Sequence, residues 1–388
     1  KVLDNIAEPL KDFSCKVEKG DKASFTETRS AKDRPAHTPD SAPDYDPDYA
    51  PDYAMDLRLL SMRDVIEGDS KYISRPEDKK ILAAAHEIGE TIVIKGPNQM
   101  GKTSLLARYI QECKKAGKKT AVIDFAIFGK DVLSSYTALL SDLAGAINEE
   151  LDINEGAFPE IKSQTNMVSY VRKSILDATT GHLTIAFDEV DRVMGQPYSS
   201  DFFTMLRSFH NSRPRTRWGE TDLVLVISTE PYLLITEAER SPFNVVPPLI
   251  VNPFTFEEYS ALNKTYENPL NEEQLDGLYK LLQGHPYLTR LAYDLLKDTK
   301  NYSLDELIER ADDERGPFGE HLRAKLADLQ TKPKLLGEMK KVLIPGTQVD
   351  RDMAYRLCGS GLISFTDHGQ AVPANLLYYR YFKKVLND

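Results

Sequence analysis

The chain has 388 residues, 41% hydrophobic and 28% charged, and its 49 Lys and Arg against 60 Asp and Glu give a net charge of −11. Those proportions allow a sizeable core and two or three domains. The acidic balance argues against broad, sequence-blind nucleic-acid binding, while leaving room for a local basic face.

Cys15, Cys113 and Cys358 lie far apart, no CxxC occurs, and the seven histidines have no metal-ligand spacing. This speaks against a disulfide scaffold or a zinc site and fits a reducing, cytoplasmic compartment. No apolar run reaches the roughly 18 residues of a membrane span, so no membrane partner is expected. The opening Lys1-Val2-Leu3-Asp4 lacks a signal-peptide core.

Residues 36–56 carry six Asp and four Pro without a Lys or Arg, and repeat Pro-Asp-Tyr from Pro43, Pro47 and Pro51. Proline at every fourth position forbids a regular helix, and the charge forbids a core. Residues 1–56 therefore read as a mostly disordered acidic tether, with a Tyr/Asp docking strip for a partner as the alternative.

The pattern changes near residue 57. Glu90–Lys95, Lys119–Phe125, His182–Phe187 and Asp222–Ser228 read as buried strands, with Pro248–Val251 as a fifth. Between them Thr103–Ala116, Val132–Leu151, Met167–Ala178 and Phe202–His210 read as helices. Near-continuous apolar strands alternating with helices imply a doubly wound α/β domain with a parallel sheet, here over 57–252. Helices follow at Phe256–Asn263, Glu272–Leu282, Tyr287–Asp298 and Ser303–Ala311, within a 253–316 unit. In 317–388, two or three helices precede a hairpin at Leu362–Phe365 and Ala371–Pro373, then a helix to Leu386: the winged-helix pattern.

Gly96-Pro97-Asn98-Gln99-Met100-Gly101-Lys102-Thr103 matches GxxxxGK[ST] between a strand and a helix. Glycines let the backbone wrap phosphate oxygens, and the helix N-terminus adds positive potential. Lys102 is expected to reach the β and γ phosphates, and Thr103 to ligate Mg²⁺. Gly96, Asn98, Gln99, Met100, Gly101, Lys102, Thr103 and Ser104 are the candidate nucleotide-binding stretch. The third strand runs into Asp188 and Glu189. Asp188 suits the metal, and Glu189 suits polarising the attacking water. Arg192 and Asp191 read as structural salt-bridge residues. Thr229 or Ser228, at the end of the fourth strand, is a candidate phosphate sensor.

Tyr72-Ile73-Ser74-Arg75-Pro76, the phosphate loop, Phe187–Val193, Leu206–His210, Ser228–Tyr232, Ser241–Val245 and Gly284–Ala292 occur in this order. Together they strongly resemble the bacterial AAA-like domain family, related to STAND signalling ATPases and origin-recognition ATPases. The resemblance covers about residues 57–386. It implies a P-loop NTPase sheet in 5-1-4-3-2 order, a helical lid and a C-terminal winged helix. It also implies that Tyr72 and Arg75 lie by the adenine and that Pro286 closes over the base. The Gly-His-Pro turn replaces the lid arginine of AAA+ motors. Asn98 stands where many relatives carry a basic residue.

Other features have plain structural readings. Arg207, Arg213, Arg215 and Arg217 read as a solvated basic loop rather than as an arginine finger, and Arg290 as a surface residue. Lys114, Lys115, Lys118 and Lys119 suit a helix C-terminus. Trp218 reads as a packing anchor, and Tyr378, Tyr379, Tyr381 and Phe382 as core. Residues 331–388 hold nine Lys and Arg against five Asp and Glu, a modest excess that makes DNA contact the lesser expectation.

The leading expectation is an ATP- or ADP-binding, STAND-like switch with slow Mg²⁺-dependent hydrolysis, controlling self-assembly or a protein partner. The alternatives are a nucleic-acid-stimulated loader of origin-recognition type and a scaffold holding a structural nucleotide.

Overall fold

The computed structural model describes residues 71–153, 160–233, 242–244, 246–297 and 302–386. The expected tether, and Ser241 and Val245 of the Ser241–Val245 segment, lie outside them. Five parallel strands, β1 (Thr91–Lys95), β2 (Lys119–Asp124), β3 (Leu183–Asp188), β4 (Thr221–Ile227) and β5 (Leu249–Ile250), stand in the order β2-β3-β4-β1-β5. This is the expected 5-1-4-3-2 order of a P-loop NTPase sheet, read from the other edge. β3 and β4 are buried along their whole length, which is why their sequences are apolar without alternation.

Both faces of the sheet are covered. Ile94, Val224 and Val226 point into one core with Leu106 and Tyr109 of helix α2 (Lys102–Lys115) and Ile81 of α1 (Pro76–Ala84). Val93, Leu223, Leu225 and Ile227 point the other way, into a core with α4 (Tyr136–Glu150) and α6 (Ser199–Asn211). The period-two alternation of β1 and β4 sorts side chains between the two cores.

Three details differ from the sequence reading. The helix expected over Val132–Leu151 is two helices, α3 (Lys130–Ser134) and α4, because Ser135 is extended and its hydroxyl accepts the Ala138 N–H as an N-cap. The Met167–Ala178 helix begins earlier, as α5 (Gln164–Tyr170), and widens to π geometry over Val171–Leu176. Lys118 is no dipole ornament: it is buried and paired with Asp222 at 2.7 Å, where Thr184 and Tyr109 also donate. The arginines after α6 are structural too. Arg213 donates to the Glu90 carbonyl and contacts His210, and Arg217 donates to the Gly181 carbonyl, so this loop is fastened to the sheet. Trp218 is buried and stacked on Phe209, as expected.

The rest of the chain is helical: α7 (Phe256–Thr265), α8 (Glu272–Leu282), α9 (Pro286–Lys297), α10 (Leu304–Glu309), α11 (Gly319–Gln330), α12 (Pro333–Val342) and α13 (Arg351–Gly359). An antiparallel hairpin, β6 (Ile363–Phe365) with β7 (Ala371–Pro373), and helix α14 (Leu376–Leu386) complete it. One apolar core joins all of these, from Phe254 through Tyr259, Leu288 and Phe318 to Tyr378 and Phe382. The 253–316 and 317–388 segments are thus packed as a single helical unit. Tyr378 ties it further, contacting His321 at 2.8 Å and His285 at 3.5 Å. Burial holds both imidazoles neutral, His285 down to about 3 and His321 to about 2.

Two close backbone approaches matter here, one inside the helical unit at Gly284 and one at Gly359 that seats the unit on the sheet domain. Gly284, at φ +67°, lies where a Cβ would come within 2.1 Å of the Phe254 carbonyl, and its own carbonyl accepts the Phe254 N–H. Gly359 lies where a Cβ would meet the Ser228 carbonyl at 2.7 Å, and its carbonyl accepts the Asn98 N–H at 2.9 Å. We predict that Gly284→Ala costs about 2 kcal/mol or more, combining left-handed strain with the carbonyl clash. Urea unfolding should show a lowered midpoint, and an unchanged midpoint would contradict this packing.

Candidate functional site

The phosphate loop links β1 to α2. Its first glycine is required by packing: a Cβ at Gly96 would sit 2.5 Å from the Val251 carbonyl. Pro97 has no N–H, and the Asn98 N–H goes to Gly359. Met100 is buried in the apolar core under the loop. Gly101, at φ +92°, turns the chain into α2, which a side chain would oppose. The first N–H groups of α2, at Lys102, Thr103 and Ser104, have no partner inside the helix and form its positive end.

A cavity of about 440 Å³ opens over this end, within the range of small-molecule sites. Asn98, Gln99, Gly101, Lys102, Thr103, Ser104, Asp188 and Glu189 line it from the sheet domain. Tyr72, Ile73, Phe254, Leu262 and Pro286 add apolar and aromatic surface, Arg75 adds its guanidinium, and Tyr287, Arg290, Leu291 and Lys325 close it from the helical unit. The expected adenine-side residues Tyr72, Arg75 and Pro286 therefore share one cavity with the phosphate loop. Gly96 and Met100 do not line it; they face a second cavity of about 290 Å³ behind the loop, with Ser228. Thr229 lines neither cavity, and its buried hydroxyl has no partner among the described residues.

The polar groups are already arranged around one another. The Thr103 hydroxyl donates to Asp188 Oδ2 at 2.7 Å. Asp188 Oδ1 accepts the Glu189 N–H at 2.9 Å. Burial pushes the Asp188 carboxyl up to about 6, against the pull of Thr103. Lys102 Nζ donates to the Pro97 carbonyl at 2.9 Å. Burial lowers its pKa, while Asp191, Asp188 and Glu189 raise it. Glu189 sits at φ +48°, a strained backbone for a non-glycine residue. Its side chain is 46% exposed and lies 3.4 Å from Arg192.

Arg75 stacks its guanidinium over Phe254, 4.5 Å from the ring centroid, and donates to the Met100 carbonyl at 2.9 Å. It thus braces the loop from behind while lining the cavity. Tyr72 is covered by Arg108 at 4.1 Å, and burial raises its phenol. Asp191 departs from the expected salt bridge. It accepts the Ser228 N–H at 2.9 Å, fixing the end of β4, while Arg192 pairs with Glu189.

A divalent metal held by phosphate and one or two protein oxygens fits this donor set. Thr103 and Asp188 already meet, and a cation would relieve the cost of the buried carboxylate. Among the described residues no cluster of three His, Cys, Asp or Glu could hold a metal without such help.

The sequence model of the AAA-like domain family matches residues 62–384. The chain belongs to that family. Its fold is similar to the Walker-type ATPase PABY2304 of Pyrococcus abyssi, with TM-score 0.57 and 16% identity over 80% of this chain and 96% of that one. The Aeropyrum pernix ORC1 protein, solved in complex with DNA, aligns at TM-score 0.42 and 15% identity over 84% of this chain and 98% of that one. A Pyrococcus horikoshii STAND protein with a tetratricopeptide repeat sensor aligns at TM-score 0.37 and 16% identity, over 81% of this chain and 42% of that one. No curated protein matches the sequence. At these identities the likeness is one of fold, that of an AAA-like P-loop ATPase.

Sequence reasoning missed Phe254, Tyr287, Leu291 and Lys325 as lining residues. Phe254 and Lys325 stand in no local motif, and Tyr287 and Leu291 lie in the Gly284–Ala292 segment, where only Pro286 was given a lining role; all four reach the cavity through packing of the helical unit.

The raised Asp188 pKa makes a pH prediction. The fold favours the protonated carboxyl, so that stabilisation is complete below an ordinary aspartate value of about 3.9 and lost as pH rises through about 6. Without metal or nucleotide, Asp188→Asn should flatten the stability profile in this window and unfold at a higher temperature than wild type at pH 7.5. A lower unfolding temperature would contradict a buried, uncompensated charge.

Proposed function

We propose that this chain is an ATP- and ADP-binding switch of the STAND type, with slow Mg²⁺-dependent hydrolysis. The observation that carries the reading is the shared cavity. Phosphate-binding groups of the sheet domain and apolar residues of the helical unit line the same space. A ligand filling it touches both parts, so ATP and ADP can favour different arrangements of them.

Lys102 would leave the Pro97 carbonyl to hold the β and γ phosphates, with the first amides of α2. Gln99 and Asn98 would flank them. Tyr72, Arg75 and Pro286 would enclose the adenine. Thr103 and Asp188 would hold Mg²⁺, which would neutralise charge on the β and γ phosphate oxygens. Glu189 would orient a water and take its proton as the bond between the γ phosphorus and the bridging oxygen breaks. The Arg192 guanidinium, 3.4 Å from Glu189 Oε2, would have to give up this contact before the carboxylate oxygen took a water, which supports slow turnover. Thr229 would act as a sensor only by turning its buried hydroxyl toward the γ phosphate.

The segment 317–388 is read as a winged helix whose work is intramolecular. Its helix α13 ends at Gly359 against the phosphate loop, and Arg351, at its exposed start, stands between the N-cap Asp350 and Asp352. That placement favours a protein partner or self-assembly over DNA, with the acidic 1–56 segment as a tether.

Purified protein should bind ADP and ATP and turn ATP over slowly. Lys102→Ala should weaken binding at least tenfold, the loss of one charge-assisted contact. Glu189→Gln should keep ATP bound while lowering turnover about 100-fold or more. Absence of any adenine nucleotide affinity would overturn the proposal, and stimulation of turnover by duplex DNA would favour a loader instead.

A further inference from the structure

We infer that Lys325 is a phosphate ligand supplied by the helical unit, its ammonium joining the bound nucleotide to the turn that docks on the phosphate loop. This rests on the nucleotide-binding reading above and adds a residue that no sequence motif marks.

Lys325 stands on α11, more than two hundred residues from the phosphate loop, yet lines the same cavity as Lys102, Thr103, Asp188 and Glu189. Its Nζ donates to the Ser360 carbonyl at 2.9 Å. An ammonium has three N–H donors, so two remain for a ligand in the cavity. Among the described residues no carboxylate lies within salt-bridge distance of it, whereas Lys102 faces Asp191, Asp188 and Glu189. A partly buried cation without an anion is costly, and an anion between it and Lys102 would relieve both. Consistent with that strain, burial lowers the Lys325 pKa to about 8, with Lys102 lowering it further and Asp328 opposing.

Ser360 sits between the two residues that touch the loop. Gly359 accepts the Asn98 N–H, and a Cβ at Gly361 would lie 3.2 Å from the Asn98 carbonyl. An ammonium bonded at once to Ser360 and to a phosphate therefore braces the docked turn through the nucleotide. Binding and docking then favour each other by the same free energy.

Displacement of a fluorescent ADP analogue by unlabelled ADP and by adenosine tests this on the whole chain. Lys325→Met keeps the apolar stem, and Lys325→Gln keeps a donor for the Ser360 carbonyl without the charge. Both should weaken ADP at least tenfold while changing adenosine less than threefold. Unchanged ADP affinity in both variants, or equal losses for ADP and adenosine, would reduce Lys325 to a structural cap and overturn the inference alone. A wild type that binds no ADP would overturn it together with the proposed function.

Discussion

The phosphate loop does not end its contacts inside its own domain. The Asn98 N–H reaches 2.9 Å to the Gly359 carbonyl, at the end of a helix from the C-terminal part of the chain. One such bond contributes only about 1 kcal/mol net. Its importance lies in position. It can form only because Gly359 lets the backbone pass the Ser228 carbonyl, at the tip of the central strand β4. The turn thus rests on the loop and on the strand end together, and Asp191 holds that strand end from the other side.

Everything that surrounds the cavity follows from this docking. The helical unit has one core from Phe254 to Leu386, so its parts move together or not at all. Gly284 places Phe254 and Pro286, and Phe254 in turn seats Arg75, whose guanidinium also braces the Met100 carbonyl of the loop. The buried His285, Tyr378 and His321 contacts explain the histidine of the Gly-His-Pro turn: it binds the first turn of α9 to the terminal helix rather than touching a ligand. A ligand in the cavity meets a loop and a helical unit already fastened to each other, which is what the proposed switch requires.

Much of this was legible in the sequence. Strand cores such as Val224 and Val226 announce themselves by apolarity, and GPNQMGKT by its spacing between strand and helix. The strand order and the lining roles of Tyr72, Arg75 and Pro286 came from family likeness, since periodicity does not fix either. Local signals fell short at particular places. Helix α1 was not foreseen because Pro76, Glu77 and two lysines give it little apolar pattern, although proline at its first position is a helix-start signal. Ser135 was read as a helix interior, while it breaks and caps. Lys118 was read as one of several cations at a helix end and Lys325 carried no reading at all; only tertiary packing buries the first beside Asp222 and sets the second in the cavity. Gly96 and Met100 belong to the motif, but the motif does not reveal that they pack the loop and line the cavity behind it.

Hydrogen exchange at the docked turn tests the central claim most directly. Amides of residues 360–362 and of Asn98 would be followed in the whole chain, with and without ADP and Mg²⁺. Coupling of ligand to docking predicts that nucleotide slows exchange at both places together, since opening the turn would also loosen the bound phosphate. Exchange at the turn that is unchanged or faster with ADP bound, while the first turn of α2 becomes protected, would show a site that binds nucleotide without reporting it to the helical unit.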